Sequence, residues 1–259
     1  MAPQPYRDFR KLFTSTRDED VAWWYFGQVY LQLPGRPEQA VVQAETIMLY
    51  RTATLSEDSC TIKWWEIGYF RDPVTGEIID QWLNPITGRT VKAPRSFEEG
   101  PATYTVTATD TGVDVTLVQH AAKVDRLAVT LTEQDGMLRI DQEEVKRRGF
   151  PLPDGSLPDP DSIDAAPART VLTMYGRRAD LDDAAQVSPE GKGAYTFELA
   201  SPPAWLGLDE ETARGGKAIV RGTMAKAPAD AILNPGAWQR FKQIFPNRFA
   251  GDVIKPVWE

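Results

Sequence analysis

One cysteine, Cys60, and one histidine, His120, are all that 259 residues offer of the two side chains most used to hold transition metals. A lone cysteine excludes a disulfide or a thiolate cluster within the chain. A lone histidine excludes a site of two or three imidazoles, and carboxylate-only magnesium or calcium binding has no EF-hand spacing behind it, so no metal is expected. Long apolar runs are missing too, and none approaches the roughly 20 residues that span a bilayer as a helix. No GxGxxG follows a strand, and GxxxxGKS/T, GxSxG and HExxH are absent, which removes nucleotide-dependent and triad chemistry and leaves no cofactor expected. Positive charge is short: a formal net charge of -8 argues against a nucleic-acid partner, because phosphate binding rests on clustered Lys and Arg. The densest basic cluster, KRRG at Lys146–Gly149, follows DQEE and reads as a solvated, mixed-charge surface. The opening MAPQPYRDFRKLF has no apolar signal-peptide core, so a cytoplasmic location without membrane attachment is expected.

What the chain does have is strand signal. Apolar runs of period 2, or continuous ones, fall near residues 21–33, 41–51, 60–71, 77–83, 103–109, 113–120, 122–132, 136–142, 169–177, 194–199 and 217–225. The expectation is a single, mainly β domain over residues 1–259, an antiparallel barrel-like or strongly curved sheet. DPVTGE at 72–77 and NPITGR at 84–89 each place Asp or Asn, then Pro, then Gly where a hairpin tip with a left-handed glycine needs them. Residues 21–83 are therefore expected to form a four-stranded meander. Residues 150–167, crowded with Pro, Asp, Gly and Ser, read as a surface loop or lid. Helix signals are confined to residues 6–14 and to NPGAWQRFKQIFP, where Asn234 and Pro235 open a C-terminal helix over 234–246 with Trp238, Phe241 and Phe245 on one stripe.

The strand signals carry an oddity. VAWWYFGQVYLQL at 21–33 and CTIKWWEIGYF at 60–70 each set two tryptophans side by side. Adjacent side chains of a strand point to opposite faces, so both faces of this sheet must be covered. With PGRPEQ and SEDS as hairpin tips, parity puts Trp23, Tyr25, Gly27, Glu45, Arg51, Trp64, Glu66, Gly68, Asp80 and Trp82 on one face. Trp24, Phe26, Met48, Tyr50, Trp65 and Tyr69 fall on the other. The first face mixes charge with aromatic rings, and buried carboxylates must be paired, hydrated or serving a cavity. Gly27 and Gly68 remove side-chain volume at its centre, which leaves room for a small molecule.

Glu66, between Trp64 and Gly68, is the leading acid or base candidate, with Leu49 and Trp82 expected across the strands and Arg51 on the diagonal. The competing reading is a structural ion pair with Arg51. Glu45, Asp80 and Tyr25 are further catalytic candidates. His120, at the end of VDVTLVQH, is either a proton shuttle or an ordinary surface or core residue. Trp23, Trp64, Trp82, Arg51, Gly27 and Gly68 make up the expected substrate-binding set, though large rings also fill any β core. The expected partner is an aromatic or other hydrophobic small molecule, and the reaction a cofactor-independent lyase or isomerase step, phenolic substrates suiting best. The other reading is a carrier or sensor that binds such a ligand unchanged.

WWYFGQVY, EIGYFRDPVTGE, QWLNPITG and the later PPAWLG together resemble a bacterial domain-of-unknown-function family whose members pair a W-W-x-x-G-x-V-Y strand with D-P-x-T-G-E and W-x-N-P-x-T-G turns. The likeness runs from about Val21 to about Phe249 and implies one β-rich domain. It implies no activity.

Overall fold

The computed structural model of the protein describes residues 4–119, 123–148, 152, 156, 166–228 and 235–258. Helix α1 (Gln4–Phe13) leads into β1 (Asp20–Gln32), β2 (Gln39–Ser56) and β3 (Ser59–Arg71), then the short β4 (Gln81–Leu83) and β5 (Thr90–Lys92). There follow β6 (Ser96–Ala108), β7 (Val113–Gln119), β8 (Lys123–Gln134), β9 (Met137–Arg148) and β10 (Ala166–Arg177). Helix α2 (Arg178–Asp182), β11 (Gly191–Leu199), helix α3 (Glu210–Ala213), β12 (Lys217–Pro228), helix α4 (Pro235–Ile244) and two short terminal strands complete it. Ten strands form one antiparallel sheet in the order β7-β6-β3-β2-β1-β12-β11-β10-β9-β8. Its edges, β7 and β8, approach each other, so the sheet is a nearly closed barrel. Both edges are thereby shielded from pairing with another chain.

Local chemistry sets the hairpin tips. Asp72 accepts hydrogen bonds from the amides of Val74 and Thr75 and Gly76 takes φ +73°; Asn84 does the same for Ile86 and Thr87, with Gly88 at φ +68°. Both expected hairpins are therefore present, but they do not extend the meander. The first closes on the single bridge Arg71↔Ile78. The chain then leaves the sheet, β4 pairs only with β5, and the neighbour of β3 is β6. Burial drives this departure: Ile79, Trp82 and Ala93 pack with Trp205, Leu206 and Phe70 over one end of the barrel. Asn84 fixes the hairpin there by donating to the Leu206 carbonyl at 2.6 Å.

The opposite end is stopped by α1. Tyr6, Phe9, Leu12 and Phe13 recur on one helical face and pack on Trp23, Tyr50, Ile62, Ile140 and Met174. Two lysines hold this plug: Lys226 donates to the carbonyls of Lys11 and Leu12 at 2.7 and 3.0 Å, and Lys11 to those of Leu181 and Asp183 at 2.7 and 2.5 Å. Outside, α4 lays Trp238 and Phe241 on Ala22, Ile47, Leu49, Trp65, Ile67 and Tyr69, as the aromatic stripe of 234–246 predicts. The paired tryptophans are thus explained. Trp23 and Trp64 belong to the interior, while Trp24 and Trp65 pack under α4.

Candidate functional site

Between the two plugs the barrel keeps a cavity of about 130 Å³, close to the roughly 150 Å³ that holds a benzene ring in a dry protein core. Its walls come from the inward positions of most of the barrel strands: Tyr25, Met48, Tyr50, Trp64, Phe70, Phe97, Tyr104, Leu172, Tyr195, Phe197 and Val220. Polar groups enter from three places: Thr46 and Glu66, then Gln142, Glu144 and Lys146, then Thr170.

The register of β2 decides which glutamate reaches this hollow. Trp23 faces Met48, Tyr25 faces Thr46 and Phe26 faces Glu45, with a register shift at Val29/Tyr30 and another between β2 and β3 at Thr54/Ser56. The extra residue at the first bulge reverses the expected parity of β2, because a one-residue slip moves every side chain to the other face. Glu45 and Arg51 consequently point outward, and Met48 and Tyr50 inward. Arg51 forms a two-pronged pair with Asp20 at 2.6 and 2.7 Å and cannot partner Glu66. Glu45, 4% exposed, is enclosed under α4 by Tyr69, by Arg71 at 3.1 Å and by Arg240 at 3.1 Å. It is a structural ion-pair centre. Asp80 is on the surface, 3.8 Å from Arg95, because its segment has left the sheet.

Glu66 stays inside. It borders the cavity, with Met48 opposite on one side and Glu99 opposite on the other, instead of Leu49 and Trp82. Glu99 is buried, and its charge, like that of Glu144, bears on Tyr104. Glu144 and Lys146 are both buried and pair at 2.9 Å. This corrects the solvated reading of DQEEVKRRG: on β9, Gln142, Glu144 and Lys146 point inward, and the neighbouring Glu143 pairs with Arg169 on the exposed side. Period-2 spacing was the signal that could have found them.

Tyr25 lines the cavity as expected, and so does Trp64. Trp23 belongs to the α1 plug and donates its indole N–H to the Phe13 carbonyl at 2.8 Å, while Trp82 belongs to the opposite plug and donates to the Val41 carbonyl at 3.2 Å. Neither is placed to hold a ligand. Gly27 and Gly68 do leave space, and the protein fills it: a Cβ on Gly27 would lie 2.2 Å from the Tyr195 hydroxyl oxygen, and one on Gly68 2.4 Å from the Phe97 ring. Their role is to seat two cavity-wall rings. His120 lies outside the described residues, as does nearly all of the 150–167 loop.

Burial governs the electrostatics. It raises the pKa of Tyr25, Tyr50, Tyr104 and Tyr195 far above the usual phenol range, and the charge of Glu66 raises those of Tyr25, Tyr50 and Tyr195 further. These tyrosines are therefore neutral hydrogen-bond donors. Burial also lowers the Lys226 pKa well below its usual value. Among the described residues no three His, Cys, Asp or Glu side chains converge as metal ligands would. No described helix is long and apolar enough to cross a membrane.

Among solved structures, the outer membrane enzyme PagL is similar at 10% identity, over 81% of this chain and 99% of that one, with a TM-score of 0.33. DynF, from the dynemicin biosynthesis pathway of Micromonospora chersina, is similar at 8% identity over 86% of this chain and 85% of that one, with a TM-score of 0.31. At such scores neither bears on what this chain does. No curated protein matches the sequence. Residues 18–95, which carry β1 to β5 with both P-x-T-G turns, match the model of the family described as Protein of unknown function (DUF1838).

Proposed function

We propose that this protein is an acid/base enzyme of the lyase or isomerase class that acts, without a cofactor, on an aromatic or other hydrophobic small molecule held in the barrel cavity. The observation that carries the reading is Glu66 bordering the cavity directly opposite the buried Glu99. Two carboxyl groups on paired strand positions repel one another when both are charged, and a pair that shares one proton offers an acid and a base together. Trp64 and Phe97 supply flat walls for a ring, and neutral tyrosines supply orientation.

The outer face favours an aqueous compartment, with the cytoplasm as our proposal. Ion pairs such as Arg139–Asp141, Arg169–Glu143 and Arg221–Glu38 line the outward positions of β9, β10 and β12, where a lipid-facing barrel would lose stability. The test is a screen of phenolic and terpenoid compounds, with binding read by tryptophan quenching and products by mass spectrometry, on wild type and Glu66→Gln in parallel. The proposal expects a converted compound that Glu66→Gln binds and leaves unchanged. Tight binding without conversion by wild type would favour a carrier, and no binding at all would refute the cavity as a ligand site.

A further inference from the structure

This inference deepens the acid/base reading and rests on it, because it names the group that the substrate presents. The cavity contains a hydrogen-bond donor that the fold leaves without a full partner. The Tyr50 hydroxyl directs its proton to the Met48 sulfur at 3.4 Å. The Tyr25 hydroxyl, on a side chain only 5% exposed, meets no acceptor at full hydrogen-bond geometry among the described residues, although the Tyr50 hydroxyl is near enough to interact with it. It is nonetheless held in place: the Tyr195 ring meets the Tyr25 ring edge-on at 5.3 Å, and Tyr195 itself is seated over Gly27 and Gly222. A buried donor without an acceptor destabilises the empty protein, and a ligand that brings the acceptor relieves the cost. Ligand chemistry is narrowed by this. An organic cation brings no acceptor, and a ligand carboxylate would meet Glu66 and Glu144 on the cavity wall. A neutral ring compound bearing one carbonyl oxygen satisfies both conditions.

We propose that the substrate is a small enolisable ketone whose carbonyl oxygen accepts a hydrogen bond from Tyr25 while Glu66 removes a proton from the adjacent carbon. The C–H electron pair becomes the C=C bond of an enolate, and the carbonyl π pair moves onto the oxygen, where the Tyr25 hydroxyl stabilises it. When the carbonyl re-forms, Glu66 returns the proton to the same carbon or, where a neighbouring C=C extends the enolate to a dienolate, to the far end of that system. Glu66 is thereby restored to its carboxylate, and nothing is oxidised or reduced.

Acetophenone and α-methylstyrene test this, because they differ only in C=O against C=CH2. Binding to the full chain is measured by tryptophan quenching, and exchange of the acetophenone methyl protons in D2O by NMR. Wild type should bind acetophenone at least about tenfold more tightly than α-methylstyrene. Tyr25→Phe should bring the two near parity, while Tyr175→Phe, on an exposed position, should leave the preference intact. Parity in wild type would overturn the proposal with no variant needed, and so would an undiminished preference in folded Tyr25→Phe. Glu66→Gln should keep the preference and abolish the methyl exchange. A ketone preference that depends on Tyr25, with no exchange by wild type, would refute the acid/base reading while leaving the oxygen site standing.

Discussion

Glu45 and Glu66 sit on adjacent strands of one sheet, yet they face opposite worlds. On the outer side Glu45 meets Tyr69, Arg71 and Arg240 under α4, and its oxygens are taken up by groups of the fold. On the inner side Glu66 meets Glu99 across the ladder, tyrosines that burial keeps neutral, and a hollow. Glu45 is the more deeply buried of the two and Glu66 only half-buried, so burial alone does not single out the glutamate proposed as the base. The two also differ in that Arg71 and Arg240 enclose Glu45 while Glu66 borders a cavity.

The largest effect separating them is expected at the outer site. Glu45→Gln leaves Arg71 and Arg240 without their shared carboxylate and should cost about 3 kcal/mol of stability, read from urea unfolding. A loss under about 1 kcal/mol would mean that the network is mostly screened by water. Next comes the cavity wall. In Gly68→Ala the new methyl group must push Phe97 away, which should cost about 2 kcal/mol and block ligand binding. Retained stability and binding would show that the ring has room to shift.

Alkali offers a third contrast. Tyr25, Tyr50, Tyr104 and Tyr195 hold their protons in the fold to higher pH than in the unfolded chain, where a tyrosine titrates near about 10. Their contribution is complete below that pH. It is lost as pH rises through the raised folded values, by about 1.4 kcal/mol per pH unit for each tyrosine. Lys226, whose pKa is depressed, acts the other way: stability gains as pH rises from its folded value toward about 10.4. Stability measured by denaturant titration from pH 9 to 12 should fall steeply above pH 10, and less steeply in Tyr104→Phe. An unchanged slope would argue that Tyr104 reaches water. The smallest effect is expected at Glu66, where Glu66→Gln keeps the shape and should alter stability by about 1 kcal/mol or less. A loss as large as that of Glu45→Gln would make the two glutamates alike.

Sequence alone carries the local features. Asp72 and Asn84 bond their own following amides, so the two turns are legible from the four or five residues of each. The stripe of Trp238 and Phe241 likewise announces a helix that must cover something apolar. Parity is where local reading ends. Both faces of β2 are largely buried, so alternation gives no warning of the bulge that turns Glu45 outward and Met48 inward. The departure of β4 from the meander depends on Trp205, more than a hundred residues away, to which Trp82 packs edge-on at 6.0 Å. Lys146 looked solvated because like and unlike charges surround it in sequence, whereas strand geometry sends alternate members of the run into the barrel.

The most direct measurement sets the two glutamates against each other. Conversion of a compound that wild type turns over is followed in Glu66→Gln and Glu45→Gln, at a temperature where circular dichroism shows both folded. Glu45→Gln is expected to convert it at close to the wild-type rate and Glu66→Gln is not. A folded Glu66→Gln with wild-type conversion would contradict the acid/base reading.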